Sequence, residues 1–198
     1  MRNQRVLEMT TIAMFSAIIM IQTFVPFLGF ITLGILSFTI IHVTVLIGAI
    51  FGGRNVSIAL GFAFGLGSLL RALIAPETPL DIFFVNPLVS ILPRVIFGVV
   101  IWYLFIGFRK LIPSRLASIA LAFGFSTLIH TVVTLTAFYV FAFNSDVYIQ
   151  IFGDTNVIGL ILAILGSNGL IEIAVAVFIA APIAYTIYRI NDTQNVSY

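Results

Sequence analysis

The chain has 198 residues, of which 61% are hydrophobic and 8% are charged, and its formal net charge is +2. A soluble domain of this size needs a larger polar exterior to cover its core, so the composition excludes an ordinary soluble protein and indicates an integral membrane protein. The chain has no cysteine, which excludes disulfides, thiolate metal sites and thiol catalysis. At about 20 residues per span, the length allows about six transmembrane helices.

The apolar runs predict six spans that are separated by short polar turns and loops. In chain order they cover about residues 8–25, 35–51, 56–74, 87–108, 116–143 and 157–188. Between the first two spans, the glycine-punctuated segment 27–34 predicts a short loop packed against the protein. The predicted fold is therefore one domain over residues 1–198, an all-α integral membrane protein built as a bundle of six transmembrane helices.

The basic residues predict the orientation of the bundle. Seven of the nine fall on one side: Arg2, Arg5, Arg54, Arg109, Lys110, Arg115 and Arg189. Because cytoplasmic loops carry an excess of Lys and Arg, both the N-terminus and the C-terminus are predicted to be cytoplasmic. The outer loops then hold the acidic residues Glu77, Asp81, Asp146 and Asp154. Arg71 and Arg94 are the two basic residues that fall toward the outer side.

Polar side chains inside the predicted spans are the candidates for a binding site. At about 1.5 Å of rise per residue, His42 and Arg94 lie roughly 10 Å below the outer surface, and His130 and Asn168 lie roughly 16–20 Å below it. Glu172 lies one turn below Asn168 on the same helix face. Ionisable residues at such depths are costly and usually functional. We therefore expect these groups to converge on one cavity that opens to the outside.

Structural explanations compete with this hypothesis. Arg94 and Glu172 would also be explained as an ion pair that holds two helices together, and His42 as a core histidine. Ser and Thr in membrane helices usually bond a neighbouring backbone, which applies to Thr127 and Thr134. Arg71 would also be explained by a side chain that reaches up to the outer interface.

Several motifs are missing. The sequence has no G-x-x-x-x-G-K-[ST] nucleotide loop, no H-E-x-x-H zinc motif and no G-x-S-x-G nucleophile motif. No exposed basic cluster indicates nucleic-acid binding. The sequence thus predicts no catalytic residue and no metal ligand, and favours a protein that is not an enzyme. Small residues four apart, such as Ala13 and Ala17 or Gly61 and Gly65, allow helices to approach closely, and ordinary packing within the chain accounts for them.

Nearly the whole chain resembles the substrate-binding S component of an energy-coupling factor (ECF) vitamin transporter. The resemblance is carried by Ile41–Ala49 (IHVTVLIGA), Phe64–Leu69 (FGLGSL), Asn86–Gly98 (NPLVSILPRVIFG) and Gly166–Glu172 (GSNGLIE). Among the vitamin branches, the string Asn-Pro-Leu-Val-Ser-x-Leu-Pro-Arg is most similar to the pantothenate type. Two positions depart from the expected pattern, since Thr44 replaces a proline and His130 replaces an asparagine.

The resemblance implies a multi-pass protein of the prokaryotic plasma membrane, embedded in the lipid bilayer, that captures a water-soluble vitamin from outside. The implied partners are a transmembrane coupling protein and two cytoplasmic ATPases. These ATPases use ATP, and this chain itself needs no cofactor. Ala13 and Ala17 match the family's A-x-x-x-A docking motif on the first helix.

The polar groups and the resemblance together predict the ligand-binding residues, with Phe27–Leu33 and Phe83–Phe84 as a lid over them. These residues are Arg94, His130, Asn168, Asn86, Glu172, Thr131, His42 and Arg71. Pantothenate is the best ligand candidate because Arg94 suits its carboxylate, and the amide and imidazole groups suit its amide and hydroxyls. Two alternatives remain open: an S component for another vitamin or precursor, and a stand-alone secondary transporter coupled to protons through Glu172.

Overall fold

The computed structural model describes residues 4–25, 27–33, 36–142, 145–153 and 156–195. Two residues used above to argue orientation, Arg2 and Asp154, lie outside these ranges. The helices are α1 Gln4–Phe24, α2 Ile41–Ile74, α3 Asp81–Phe84, α4 Pro87–Ser90, α5 Leu92–Leu111, α6 Arg115–Ala142, α7 Asp146–Phe152, α8 Val157–Ile164, α9 Leu170–Val175 and α10 Ala181–Asn195. π-Helical segments, Leu165–Gly169 and Ala176–Ala180, join α8 to α9 and α9 to α10. The strands are β1 Phe30–Leu33 and β2 Leu36–Thr39.

Five helical stretches of the described chain are long and apolar enough to cross a membrane. They are Gln4–Phe24, Ile41–Ile74, Pro87–Leu111, Arg115–Phe141 and Val157–Ile190. These stretches bear out the expectation of a helical membrane protein. Their number is smaller than the predicted six because the predicted spans 35–51 and 56–74 both fall largely in α2.

The long helix α2 is folded back on itself at Gly53. This residue has φ 79° and ψ −167°, a left-handed backbone that favours glycine. A Cβ at Gly48 would collide with the side chain of Leu60, although a straight helix would hold the two residues about 18 Å apart. Similarly, Arg71 near the end of α2 lies over the ring of Phe30, which precedes its start. α2 thus consists of two antiparallel arms, and the turn lies where the sequence predicts one.

The segment between α1 and α2 differs from its prediction. It forms an antiparallel hairpin in which Phe30 pairs with Thr39 and Leu33 pairs with Leu36. The second span was predicted to begin at residue 35, but α2 begins at Ile41. Both predictions were wrong because an apolar run that continues into a helix has the same hydropathy in either conformation.

Small residues bring α5 onto the second arm of α2. A Cβ at Gly61 would collide with the carbonyl of Arg94, and a Cβ at Gly98 would collide with the carbonyl of Ser57. The Ser57 hydroxyl donates a hydrogen bond to the carbonyl of Gly98. The Gly61-x-x-x-Gly65 pattern therefore serves packing within the chain. This close approach places the first turn of α5, which carries Arg94, directly against α2.

The last membrane stretch contains the two π-helical segments, and the first of them holds Asn168. A π-helical turn widens the helix and recurs at functional sites in helical proteins. Asn168 and Glu172 both line the cavity described below, as the regular spacing predicted, although Asn168 lies in the π-helical segment and Glu172 lies in α9. In the preceding outer loop, α7 begins at a cap in which Ser145 accepts a hydrogen bond from the Tyr148 amide. No helix was predicted in this segment, which falls between the predicted spans 116–143 and 157–188.

Candidate functional site

A polar cavity lies among α2, the loop of residues 75–81 that follows it, α5, α6 and the last membrane stretch. Its volume open to the centres of water-sized molecules is about 120 Å³. One buried water needs about 10–15 Å³ by the same measure, so the cavity has room for a molecule much larger than water. Most of the predicted ligand residues line it: Arg71, Arg94, His130, Thr131, Asn168 and Glu172.

Two predicted ligand residues, His42 and Asn86, are not among the residues that line this cavity. Asn86 caps α4, because its Oδ1 accepts a hydrogen bond from the Leu88 amide at 2.9 Å. His42 is buried behind the wall, with Nδ1 2.6 Å from the carbonyl of Thr39 and Nε2 3.2 Å from that of Glu172. Asn86 thus stabilises α4, whose Val89 carbonyl accepts a hydrogen bond from Arg94, and His42 contacts the backbone of the wall residues Thr39 and Glu172.

Arg94 brings a positive charge into the wall. Its side chain is buried, Nη1 donates to the carbonyl of Val89 at 2.7 Å, and the guanidinium lies 5.0 Å from the ring of Phe84 and 5.5 Å from that of Phe64. No Asp or Glu oxygen of the described residues lies within 4.0 Å of its nitrogens. The alternative that Arg94 and Glu172 form a direct ion pair is therefore wrong. The guanidinium keeps a charge that no contacting carboxylate neutralises.

Arg71 has the opposite environment. Its Nη2 lies 2.7 Å from Glu77 and its Nη1 lies 3.5 Å from Asp81, while the guanidinium stacks at 4.0 Å on the ring of Phe30. Only 4% of the residue is exposed, because its neighbours cover the side chain. Asp81 also accepts hydrogen bonds from the amides of Glu77 and Thr78, at 2.7 and 2.8 Å. Arg71 and Asp81 thus hold the loop of residues 75–81, which is predicted to be an outer loop, against α2 and the hairpin.

Glu172 connects the last membrane stretch to the hairpin. Its Oε1 accepts a hydrogen bond from the Thr39 amide at 2.9 Å. The same Thr39 offers its carbonyl to His42. One residue of β2 therefore bonds to two buried side chains, and β2 becomes part of the cavity wall.

Apart from Arg71 Nη2, which is ion-paired with Glu77, three buried polar atoms of cavity-lining residues have no hydrogen-bond partner in the described part of the chain. They are Arg94 Nε, His130 Nδ1 and Thr134 Oγ1. Buried polar groups are nearly always hydrogen-bonded, so unpaired ones that share a cavity indicate where a ligand would bond. Thr134, which the sequence suggested to be structural, belongs to this set.

Several residues that line the cavity were not predicted from the sequence to belong to the site: Thr39, Ser68, Thr78, Leu80 and Asp81. Thr39 lies in a strand that was not predicted. Asp81 had a usable signal, since it is an acidic residue in a loop between two outer arginines. Of the expected lid residues, Phe30 and Phe84 line the cavity. Phe83 instead packs edge-on against Phe138, with the ring centroids 5.2 Å apart.

The apolar helices and the buried polar cavity are those of a multi-pass membrane transport protein. Residues 7–184 match the model of a family described as ECF transporter, substrate-specific component, and the chain belongs to this family. A pantothenate transporter, PanT, from Leuconostoc mesenteroides is 27% identical over 206 aligned residues that cover 99% of each chain. The resemblance found in the sequence is confirmed. The protein is a transporter component of the prokaryotic cell membrane and not an enzyme.

Proposed function

We propose that this chain is the substrate-specificity (S) subunit of an ECF-type importer that binds pantothenate from outside the cell. It delivers the vitamin through a transmembrane coupling protein and two cytoplasmic ATPases, which use the ATP. Family membership supports the importer role, and the pantothenate transporter from Leuconostoc mesenteroides supports the choice of vitamin. We further propose six crossings with both termini cytoplasmic, counting the two antiparallel arms of α2 separately.

The observation that carries the proposal is the environment of Arg94. A buried charge that no carboxylate contacts is costly, and a carboxylate on the ligand would supply the missing contact. Arg71 cannot take this role equally well because Glu77 and Asp81 already neutralise it. A charge-assisted bond from Arg94 to the carboxylate would be among the stronger contacts available to the ligand.

The rest of the wall suits the rest of pantothenate, which has one amide and two hydroxyls. Asn168, His130 and Thr134 offer donors and acceptors from α6 and the last membrane stretch. Phe30, Phe84 and Phe138 provide apolar surface for the carbon skeleton. A binding site with apolar walls and a few placed polar groups is the usual form of a small-molecule site.

The test is the affinity of purified protein for pantothenate, measured by calorimetry for the wild type and for Arg94→Gln. Loss of a charge-assisted hydrogen bond costs about 1.5–3 kcal/mol, so the variant should bind about 10- to 150-fold more weakly. Arg54→Gln is the matched control, because Arg54 is exposed at the turn of α2, and its affinity should be unchanged.

Unchanged affinity of the Arg94 variant would remove Arg94 from the site. If the wild type does not bind pantothenate, mass spectrometry of the purified chain would identify the ligand that it retains. Recovery of a different vitamin or a precursor would overturn the choice of pantothenate and leave the S-component role in place.

A further inference from the structure

A second cavity shares Leu135 with the ligand cavity. It is an open groove between α6 and the start of the last membrane stretch, with about 300 Å³ open to the centres of water-sized molecules. α6 contributes Val132, Leu135, Thr136 and Tyr139, and the last stretch contributes four apolar residues between Ile158 and Leu165. We propose that this groove binds one acyl chain of a bilayer lipid, and that the bound chain supports the wall of the ligand cavity.

The groove offers apolar surface and almost no hydrogen bonds. Of the eight described residues that line it, six are Val, Leu or Ile. The hydroxyl of Thr136 donates to the carbonyl of Val132 at 2.8 Å, so it is already bonded within α6. Tyr139 lies near the end of α6, and tyrosine is enriched where a membrane protein meets the water interface. Such a surface suits a hydrocarbon chain whose polar end lies toward Tyr139.

The groove opens onto the surface that the protein presents to the bilayer. Both helices that form it belong to stretches that can cross a membrane. Its rim is well exposed on the outside of the bundle, where 45% of Val132, 53% of Ile158 and 60% of Leu162 is exposed. Exposed Leu128 and Val140 continue the apolar surface along α6 on either side of the groove. The groove is therefore continuous with the lipid-facing surface, and lipid chains reach it directly.

The length of the groove favours an acyl chain over a transmembrane helix of another protein. The seven-residue step from Val132 to Tyr139 rises about 10 Å along α6. The hydrocarbon core is about 30 Å thick, so the groove fits within one leaflet of about 15 Å, whereas a spanning helix has about 30 Å to cover. A single lipid chain matches a site of this depth.

An acyl chain in the groove would pack against the far side of the ligand-cavity wall. Leu135 lines both the groove and the ligand cavity. Leu165, another groove residue, begins the π-helical segment that carries the cavity residue Asn168. A side chain without packed neighbours on one side loses the attraction of those contacts, so an occupied groove stabilises this wall. The effect on the ligand cavity rests on the proposed function, whereas lipid binding itself does not.

Photolabelling tests the groove directly. The purified chain is placed in vesicles of equal parts phosphatidylglycerol and phosphatidylethanolamine, in which the phosphatidylglycerol carries a diazirine at the middle of one acyl chain. Leu170 and Phe178 are exposed residues outside the groove. Peptide mass spectrometry should find adducts on the groove residues at least about fivefold more often than on these two, since a bound chain stays longer at its site than a passing lipid.

Two tryptophan variants provide the matched comparison. Val132→Trp fills the groove with an indole, and Val140→Trp adds the same group at an exposed position of α6 outside it. The excess labelling should disappear in the first variant and persist in the second. Even labelling of the exposed positions in the wild type, or an excess that persists in Val132→Trp, overturns the proposal. Loss of the excess when the coupling protein is added would make the groove a protein interface and would also overturn it.

Calorimetry measures the effect on the ligand cavity. The wild type should bind pantothenate at least about threefold more weakly in lipid-free detergent than after phosphatidylglycerol is added, because the wall loses packed neighbours. Val132→Trp should not respond to lipid, since the indole takes its place. If the groove is labelled but the affinity of the wild type ignores lipid, support of the wall is overturned and the lipid site stands. If the wild type binds no pantothenate in either condition, the choice of vitamin fails and the labelling alone decides the lipid site.

Discussion

At the scale of single residues, Arg71 and Arg94, the two basic residues predicted to lie toward the outer side, have different electrostatic surroundings. Arg71 contacts two carboxylates, whereas Arg94 contacts none within 4.0 Å among the described residues. In the sequence they were equal exceptions to the inward bias of basic residues. Their contacts separate them into a residue that holds the outer loop and a residue that is available to an anion.

The outer loop supports a prediction for Asp81. Removing its carboxylate in Asp81→Ala leaves the amides of Glu77 and Thr78 without their acceptor. Arg71 then keeps Glu77 as its one carboxylate contact among the described residues. Amide hydrogen exchange of residues 75–84 should become at least about tenfold faster, since each lost buried bond costs on the order of 1 kcal/mol or more. Mass spectrometry of the exchanged peptides measures this.

Glu77→Ala is the control for Asp81→Ala, because the Glu77 side chain is 40% exposed and exposed ion pairs contribute little. The change in exchange should therefore be much smaller. Equal acceleration by both variants would contradict the role given to Asp81.

At the scale of elements, the hairpin of β1 and β2 links the helices around the cavity. Phe30 stacks on Arg71, and Thr39 bonds through its amide to Glu172 and through its carbonyl to His42. These contacts join the hairpin to both arms of α2 and to the last membrane stretch. Movement of the hairpin would therefore change the wall itself, because the wall includes Phe30 and Thr39.

The first helix, α1, has the most exposed surface of the five membrane stretches. Only 17% of its most apolar 18-residue segment is buried inside the protein, and Ala13 and Ala17 are exposed. Its buried residues, Ile19 and Thr23, lie toward its C-terminal end. An exposed face with small residues agrees with the docking role that family membership implies for Ala13 and Ala17.

Larger side chains on this face should block docking without changing the cavity. In Ala13→Leu/Ala17→Leu, we expect uptake of labelled pantothenate by cells with the complete transporter to fall to background, while the purified variant binds pantothenate normally. Ala163→Leu, at an exposed position of α8, is the control and should leave uptake unchanged. Normal uptake by the double variant would exclude this docking face. Uptake by the lone chain, driven by a proton gradient without ATPases, would favour a secondary transporter.

At the scale of the whole molecule, the polar cavity lies next to a large apolar core. The cavity takes its polar groups from the end of the bundle where Arg71, Asp81 and Arg94 lie. The core beyond it is apolar and includes Phe97, Ile101 and Phe105 of α5 and Phe123 of α6. A ligand in the cavity thus faces a packed apolar core toward the proposed cytoplasmic side, so release inward requires the bundle to move or rearrange.

The proposed topology has a direct test because the chain contains no cysteine. Single substitutions at exposed positions would report the side of the membrane: Asn55→Cys and Ser114→Cys for the cytoplasmic side, Gln150→Cys for the outside. A membrane-impermeant maleimide should label Gln150→Cys in intact cells and the other two only after permeabilisation. Labelling of Asn55→Cys in intact cells would exclude the turn of α2 from the cytoplasmic side.

The sequence by itself determined the class of protein, the positions of most membrane stretches and most of the residues around the cavity. The physical reason is the bilayer, which requires long apolar segments and makes each polar group within them costly. In so apolar a chain, few polar groups remain as candidates, and those on α5, α6 and the last stretch therefore indicated a common cavity before any contact was known.

Three features could be found only from the tertiary structure: the hairpin, the different contacts of Arg71 and Arg94, and the packing of the His130 ring against Phe64 and Phe97. Each depends on contacts between residues far apart in the chain, such as Thr39 with Glu172 or Phe97 with His130. Hydropathy gives the depth of a side chain in the membrane, but the partner of each polar atom depends on which helices pack together. The availability of Arg94 to an anion, in contrast to Arg71, follows from that packing.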